Sequence, residues 1–447
     1  MTLRYPRLTA ALLALLPLGG GATAGGFQTL PPSASALGMA GAVTATSRDA
    51  SCAWFNPGAL GMLDSANVSI GFTGQNLRRI FRSGTTTQTT LTEQALVPGP
   101  YLYAALPVTI RVGRRRARAM EAKLATAEDP TLRQRYDQVL ADSTRQIVFA
   151  LAANSPYGFQ TKWPTNWQGR ALVQESRVQT LFVQPTAAYR FSERFSLGAG
   201  LILAGATYDL ERGVGEFADA SARYSASGVG AGWQVGIKGR AGDEVAFGIA
   251  YRSAVKIKMT DGEAAFQGIP ASQAFRFPSS AGFSTRLNLP WQLTAGISNR
   301  VTDKLLVNFT FELSGWSAFD SLNIVYANNA RPTERGGRRY QDAMAFRVGA
   351  EYQYTPALAL RTGIYYDESP VRDQNITADL PDANVLGACA GVGYQLGRHL
   401  RLDAAYTFGS SARRNSVAKP EDLVAPAISG QFRHLLHGGS VGIGYQF

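Results

Sequence analysis

Side chains able to do covalent or metal chemistry are scarce in this sequence. In 447 residues there are three histidines, His399, His434 and His437, and two cysteines, Cys52 and Cys389. His434 and His437 stand three apart in a segment of period two, so they turn to opposite faces of a strand and cannot share a metal. A Ser/His/Asp hydrolase needs a serine beside a histidine on one face, and no obvious serine motif is so placed. The glycine-rich runs lead into no strand–turn–helix unit, which argues against phosphate loops. The residues call for no catalytic group, metal or cofactor. Cations are plentiful instead, with 44 Lys and Arg against 32 Asp and Glu, a net charge of +12. Such residues recognise anions and make no bonds.

What those cations meet depends on where the chain works. Arg4 and Arg7 precede an apolar run from Ala10 to Leu18, and Ala22-Thr23-Ala24 supplies a small-residue cleavage pattern. That order predicts a signal peptide over residues 1–24 and a mature chain starting at Gly25. The apolar run is too short for a membrane anchor, and no cysteine follows the cleavage site to carry lipid. In an exported chain the positive charge is expected to face anionic lipid headgroups, lipopolysaccharide or anionic ligands, and not nucleic acid.

The elements that must position these groups follow from spacing. The charged fraction is 17%, below the roughly 25% of soluble domains, while 47 glycines and 10% aromatics run high. Past residue 24 no stretch of about 18 apolar residues could cross a bilayer as a helix. Alternation is pervasive. Between 244 and 260 the odd positions are Val245, Phe247, Ile249, Tyr251, Ser253, Val255, Ile257 and Met259, and the even ones are small or basic. The same period runs through Leu305 to Leu313, Leu400 to Phe408 and Val441 to Phe447. One apolar and one polar face make a strand and not a helix. A soluble sandwich also alternates, but these strands are about ten residues or longer, as a tilted membrane strand requires. Aromatics mark strand ends at Tyr189, Phe191, Tyr365 and Tyr366, as in an interfacial girdle.

Connections alternate too. Short turns at 192–194, 241–243, 302–304, 355–357 and 397–399 separate longer polar segments near 78–97, 159–175, 211–226, 261–286, 325–341, 368–383 and 410–431. Seven long segments imply seven hairpins, hence an all-β, 14-stranded antiparallel transmembrane barrel over residues 66–447. Closure follows because hydrocarbon tolerates no unpaired strand edge. The expected location is the outer membrane of a Gram-negative bacterium, as a monomer whose terminal Phe447 is read by the barrel assembly machinery. Residues 25–65 lack either period yet carry Phe27, Trp54, Phe55 and Leu60, so they are expected inside the barrel as a plug or hatch. Cys52 falls in that plug, and Cys389 points inward by parity. A disulfide and two unpaired packing cysteines are both open readings.

A run of short motifs resembles the long-chain fatty acid transporter (FadL/TodX) family. These are Gly26-Phe27-Gln28, Ser33-Ala34-Ser35-Ala36-Leu37-Gly38, Asp49-Ala50-Ser51 before Asn56-Pro57, and Ser155-Pro156-Tyr157-Gly158 before Trp167-Gln168-Gly169-Arg170. Leu289-Pro290, Gly315-Trp316-Ser317-Ala318-Phe319 and Asp367-Glu368-Ser369-Pro370-Val371 extend the series over most of the mature chain. The resemblance implies diffusive uptake without nucleotide. A hydrophobic ligand, long-chain fatty acid first and small aromatic hydrocarbon second, enters an apolar lumen pocket and leaves sideways through a kinked third strand. It further implies that Phe27 lines or gates the pocket and that Asn56 and Pro57 lie by the lateral gap. The kink maps onto Asn154, Pro156 and Gly158. Pro156 lacks a ladder donor and Gly158 weakens pairing, which suits a break. Gly58 follows Asn56-Pro57 where the family pattern has Ala. Arg212, and one of Arg335, Arg338 and Arg339 with Arg338 favoured, would stand at the family's basic positions that hold a carboxylate; ion pairing of Arg212 with Glu211 or Glu216, and a solvated or lipopolysaccharide-binding loop for the arginine run, are the plainer alternatives. A non-transporting receptor or adhesin barrel is the competing function.

Residues 111–145 depart from the family. They carry nine basic and five acidic residues, with Leu132, Tyr136, Val139 and Leu140 at helical spacing. The segment is expected to form two helices meeting at Asp129-Pro130, in the turn between the second and third strands.

Overall fold

The structure is a computed structural model and describes residues 25–46, 48–86, 88–111, 144–215, 217, 219–416 and 428–447. The signal peptide expected at 1–24 and the helical pair expected within 111–145 lie outside the described residues, apart from strand residues at the ends of the latter.

The alternating segments fold into one antiparallel meander that closes on itself. Its strands are β1 (Asn67–Ser83), β2 (Leu96–Arg111), β3 (Thr144–Asn154), β4 (Glu175–Ser192), β5 (Phe195–Gly213), β6 (Ser221–Ala241), β7 (Val245–Arg252 with Val255–Gln267) and β8 (Ser280–Leu289 with Gln292–Arg300). They continue with β9 (Leu305–Ser314), β10 (Ala343–Gln353), β11 (Leu358–Asp367), β12 (Val385–Leu396), β13 (Leu400–Ser411) and β14 (Gly430–Gln446). β1 pairs with β14 from Asn67 opposite Gln446 to Ser83 opposite Gly430, which closes a 14-stranded barrel and leaves no edge. Every strand expected from the alternation is present.

Several strands run further than the alternation suggests. Residues 78–83, 211–213, 221–226, 261–267 and 280–286, read as loop, continue the ladder at the long-loop end. Polar cross-strand pairs hold that extension, as where Arg223, opposite Glu211, donates to its carboxylate at 2.8 Å.

The outer face is apolar, with Leu201, Leu203, Val229, Ile249 and Val441 all exposed, and aromatics Phe191, Phe195, Tyr354, Tyr394 and Tyr445 gather toward the short turns. The parity reading needs correction at one place. Phe247 and Ile249 do face out, but Val255, Ile257 and Met259 are buried in the lumen while Lys256 and Lys258 point outward. The ladder breaks at Ser253-Ala254, and pairing with β6 slips by one residue, Arg252 standing opposite Gln234 but Lys258 opposite Val229. A one-residue slip reverses every facing beyond it. β8 breaks alongside at Pro290-Trp291, so Phe283, Leu287 and Leu289 also turn inward. That stretch of the lumen wall is thereby apolar.

Residues 25–66 pack against the inner face of the strands. They form α1 (Ala34–Gly38), α2 (Cys52–Phe55) and α3 (Pro57–Leu60), and Leu37, Met39, Ala42, Ala53 and Leu60 are fully buried. Tyr103 donates to Pro32 O at 2.7 Å, Gln234 to Ala53 O at 2.8 Å and Arg190 to Gly61 O at 2.6 Å. Inward glycines make room: a Cβ on Gly198 would stand 2.3 Å from Pro57 O, and one on Gly248 2.3 Å from Thr44 O. Cys52 and Cys389 are both unpaired and buried.

Candidate functional site

The interior is not filled throughout. A cavity with about 1510 Å³ of empty volume, open mouth included, lies between the N-terminal segment and the barrel wall. Phe27, Leu30, Leu77, Val97 and Phe159 give it apolar walls, while Arg79, Arg252 and Arg347 bring charge to it.

Phe27 is buried at the centre of an aromatic cluster. Its ring centroid lies 4.9 Å from Trp316, 5.5 Å from Phe319 and 5.8 Å from Phe159, all edge-on. Gly26, at φ +62°, turns the chain beneath Trp316, and a Cβ there would come within 2.7 Å of the indole.

The third strand breaks after Asn154. Pairing resumes at Gly158–Lys162, leaving Ser155, Pro156 and Tyr157 off the ladder. The side chain of Thr180 on β4 stands in for the lost partners, accepting from Tyr157 N at 3.1 Å and donating to Tyr157 O at 2.6 Å. From inside, the N-terminal segment covers the break. Thr29 N donates to Pro156 O at 2.9 Å, Gly158 N to Phe27 O at 2.9 Å, and Gln28 bridges antiparallel to Tyr157. Phe27–Thr29 thus act as a short extra strand across the gap. Asn154 is fully buried and donates to Tyr103 Oη at 3.1 Å.

Asn56, Pro57 and Gly58 are placed elsewhere. Asn56 donates to Thr44 O at 2.8 Å and Ile237 O at 3.0 Å, and its Oδ1 accepts from Gly58 N at 3.0 Å, capping α3. Pro57 and Gly58 lie against Gly198 and Gly236, under β5 and β6, while the gap itself meets residues 27–29.

Both expected carboxylate-binding arginines already have carboxylates. Arg212 donates to Glu334 at 2.5 Å and Tyr224 Oη at 2.9 Å, so among the described residues its carboxylate is Glu334 and not Glu211, while Glu216 lies outside them. Arg338 makes a two-pronged pair with Asp379, at 2.5 and 3.0 Å, and donates to Thr377 at 2.7 Å. Burial would raise the Asp379 pKa, but the Arg338 guanidinium outweighs it and holds the carboxyl below its usual range. Nearby Asp382 accepts from Gly26 N at 3.1 Å and Ser369 Oγ at 2.9 Å, and burial pushes its pKa up to about 7.

Sequence reasoning missed Arg79, which fell in a segment read as loop. Parity with Leu77 and Phe81 on a longer strand would have turned it inward. It missed Thr180, for which no local pattern gives a signal, and it quoted Trp316 within a motif without assigning it a place at the site.

A profile of the family described as outer membrane protein transport protein (OMPP1/FadL/TodX) matches residues 16–447. The chain belongs to this family. Among its relatives, the long-chain fatty acid transport protein of Escherichia coli (strain K12) is 24% identical over 310 residues, 60% of this chain and 69% of that one. Outer membrane protein P1 of Haemophilus influenzae is 24% identical over 429 residues, 88% of each chain. In fold the chain is similar to a Pseudomonas aeruginosa FadL homologue, with a TM-score of 0.75 at 18% identity over 96% of this chain and 100% of that one. It is also similar to the P. putida toluene transporter TodX, with a TM-score of 0.65 at 15% identity over 94% and 99%. The family comprises outer-membrane channels for hydrophobic compounds, not enzymes, and the barrel places this chain in the outer membrane of a Gram-negative bacterium.

Proposed function

We propose that this chain carries out passive uptake of hydrophobic compounds, long-chain fatty acids first and aromatic hydrocarbons second, with residues 25–65 as the hatch and lateral release at the break in β3. One observation supports this above others: Phe27–Thr29 line the cavity and bridge the strand break at the same time. A solute that displaces this segment therefore loosens the wall at the point where the ladder is already interrupted. The energetics suit a sideways exit. Each buried methylene is worth about 0.8 kcal/mol, which bilayer hydrocarbon preserves and periplasmic water would forfeit. Arg212 and Arg338, near the outer mouth, would meet a fatty carboxylate only by exchanging Glu334 or Asp379 for it.

The test joins substrate to route. A deletion strain should recover growth on oleate, or on toluene, when this chain is restored. The pair Gln28→Cys and Tyr157→Cys, in a background without Cys52 and Cys389, joins residues that face each other in an antiparallel bridge, where Cα atoms lie about 4.5–5.5 Å apart. Oxidised, it should abolish labelled oleate uptake, and reductant should restore it. Uptake indifferent to the cross-link would sink lateral release; growth indifferent to the chain would sink transport.

A further inference from the structure

We propose that Arg79, with His434 beside it, is the anion post of the cavity, and that the solute this channel is built for carries a carboxylate. The inference rests on the uptake reading above and narrows its substrate class. Arg79 and His434 face each other across β1 and β14, and each is only 1% exposed. The guanidinium lines the cavity and makes one side-chain hydrogen bond, from Nη1 to Gln160 O at 3.0 Å. Arg79 Nε and both ring nitrogens of His434 are buried without partners. Among the described residues no carboxylate lies within ion-pair distance of Arg79.

Three other arginines of the lumen are neutralised. Arg361 sits between Glu351 at 2.8 Å and Asp403 at 2.7 Å, Arg347 pairs with Asp367 at 2.7 Å, and Arg338 with Asp379. Arg252, the remaining cavity arginine without a carboxylate, is engaged with the N-terminal segment, stacked 3.4 Å over Trp54 and donating to Trp54 O at 2.6 Å. A cation left buried and unpaired is costly, and a ligand carboxylate beside it would offset that cost. A carboxylate matches the guanidinium fork with two oxygens, and a neutral imidazole can add one N–H. The acyl chain would then run along Leu77, Val97 and Phe159. A neutral hydrocarbon would fill the same walls and leave the guanidinium with no direct ion pair, only the longer-range field of Asp382 and Asp379.

The experiment compares two ligands with the same chain and different heads. Full-length protein in lipid nanodiscs is titrated with radiolabelled oleate and with oleyl alcohol near pH 8. Wild type should prefer oleate by about tenfold or more. Arg79→Gln should weaken oleate by about tenfold and oleyl alcohol by less than about twofold, and Arg79→Lys should keep some of the preference. Heat-modifiable migration of each variant verifies the closed barrel. Unchanged oleate affinity in Arg79→Gln, or equal weakening of both ligands, overturns the anion post. Wild type binding neither ligand would instead overturn the uptake reading on which the post depends.

Discussion

Gly58 shows how little slack surrounds individual residues in this interior. A Cβ there would stand 2.6 Å from both Gly236 O and Ile237 Cα, backbone atoms that cannot swing aside. Gly58→Val should therefore destabilise the packing of α3 by about 1–3 kcal/mol and expose residues 25–65 to protease while the barrel stays heat-modifiable. Protection equal to wild type would show that α3 shifts without cost. The sequence offered the Asn56-Pro57-Gly58 motif but not its neighbours, because β5 and β6 approach it from far along the chain. Arg212 and Arg338 teach the same lesson. Residue type identified both as cations able to hold a carboxylate. That Glu334 and Asp379 already occupy them is a property of loop folding, which no local spacing encodes.

Elements were legible where one period governs a whole strand. β5, β12 and β13 follow the alternation almost residue for residue, since lipid on one side and a filled lumen on the other leave no alternative facing. β7 was legible as a strand, but its division into two segments was not. Its parity in sequence continues unbroken through Ser253-Ala254, while the slip in pairing reverses what each parity faces. The loop after β11 carries a different kind of information. Asp382 joins it to the N-terminal segment through Gly26 N and lies near Ser369, Arg414 and Arg79. With its folded pKa raised to about 7 and an unfolded value of about 3.9, the native state binds more protons than the unfolded one between those limits. The stability contributed by the protonated carboxyl is thus complete at low pH and lost as pH rises through about 7. Thermal unfolding in detergent should show wild type losing ground from about pH 5 to about pH 8 relative to Asp382→Asn, whose side chain does not titrate. Parallel pH profiles for the two proteins would remove Asp382 as the source.

At the scale of the molecule, the barrel has two zones on its outer wall. Leu201 belongs to the apolar band, whereas Lys256 and Lys258, the latter opposite Val229, stand outward nearer the long loops. Leu201→Arg should cost about 2–4 kcal/mol in the bilayer and reduce assembly in the outer membrane, and Lys256→Leu should leave assembly unchanged. Folding yield into vesicles measures both, and equal yields for wild type and Leu201→Arg would misplace the band. Composition and period announced a barrel of this size, because a membrane restricts strands more severely than water does. The course of residues 25–66 through the lumen was not so legible, since it follows contacts with strands dispersed over the entire chain. Those contacts have an electrical consequence. On the proposed reading of residues 25–65 as a hatch, the bore offers ions no continuous column of water. In a planar bilayer at applied voltage this protein should be nearly silent, an insulator through which only molecules that dispense with hydration have reason to pass.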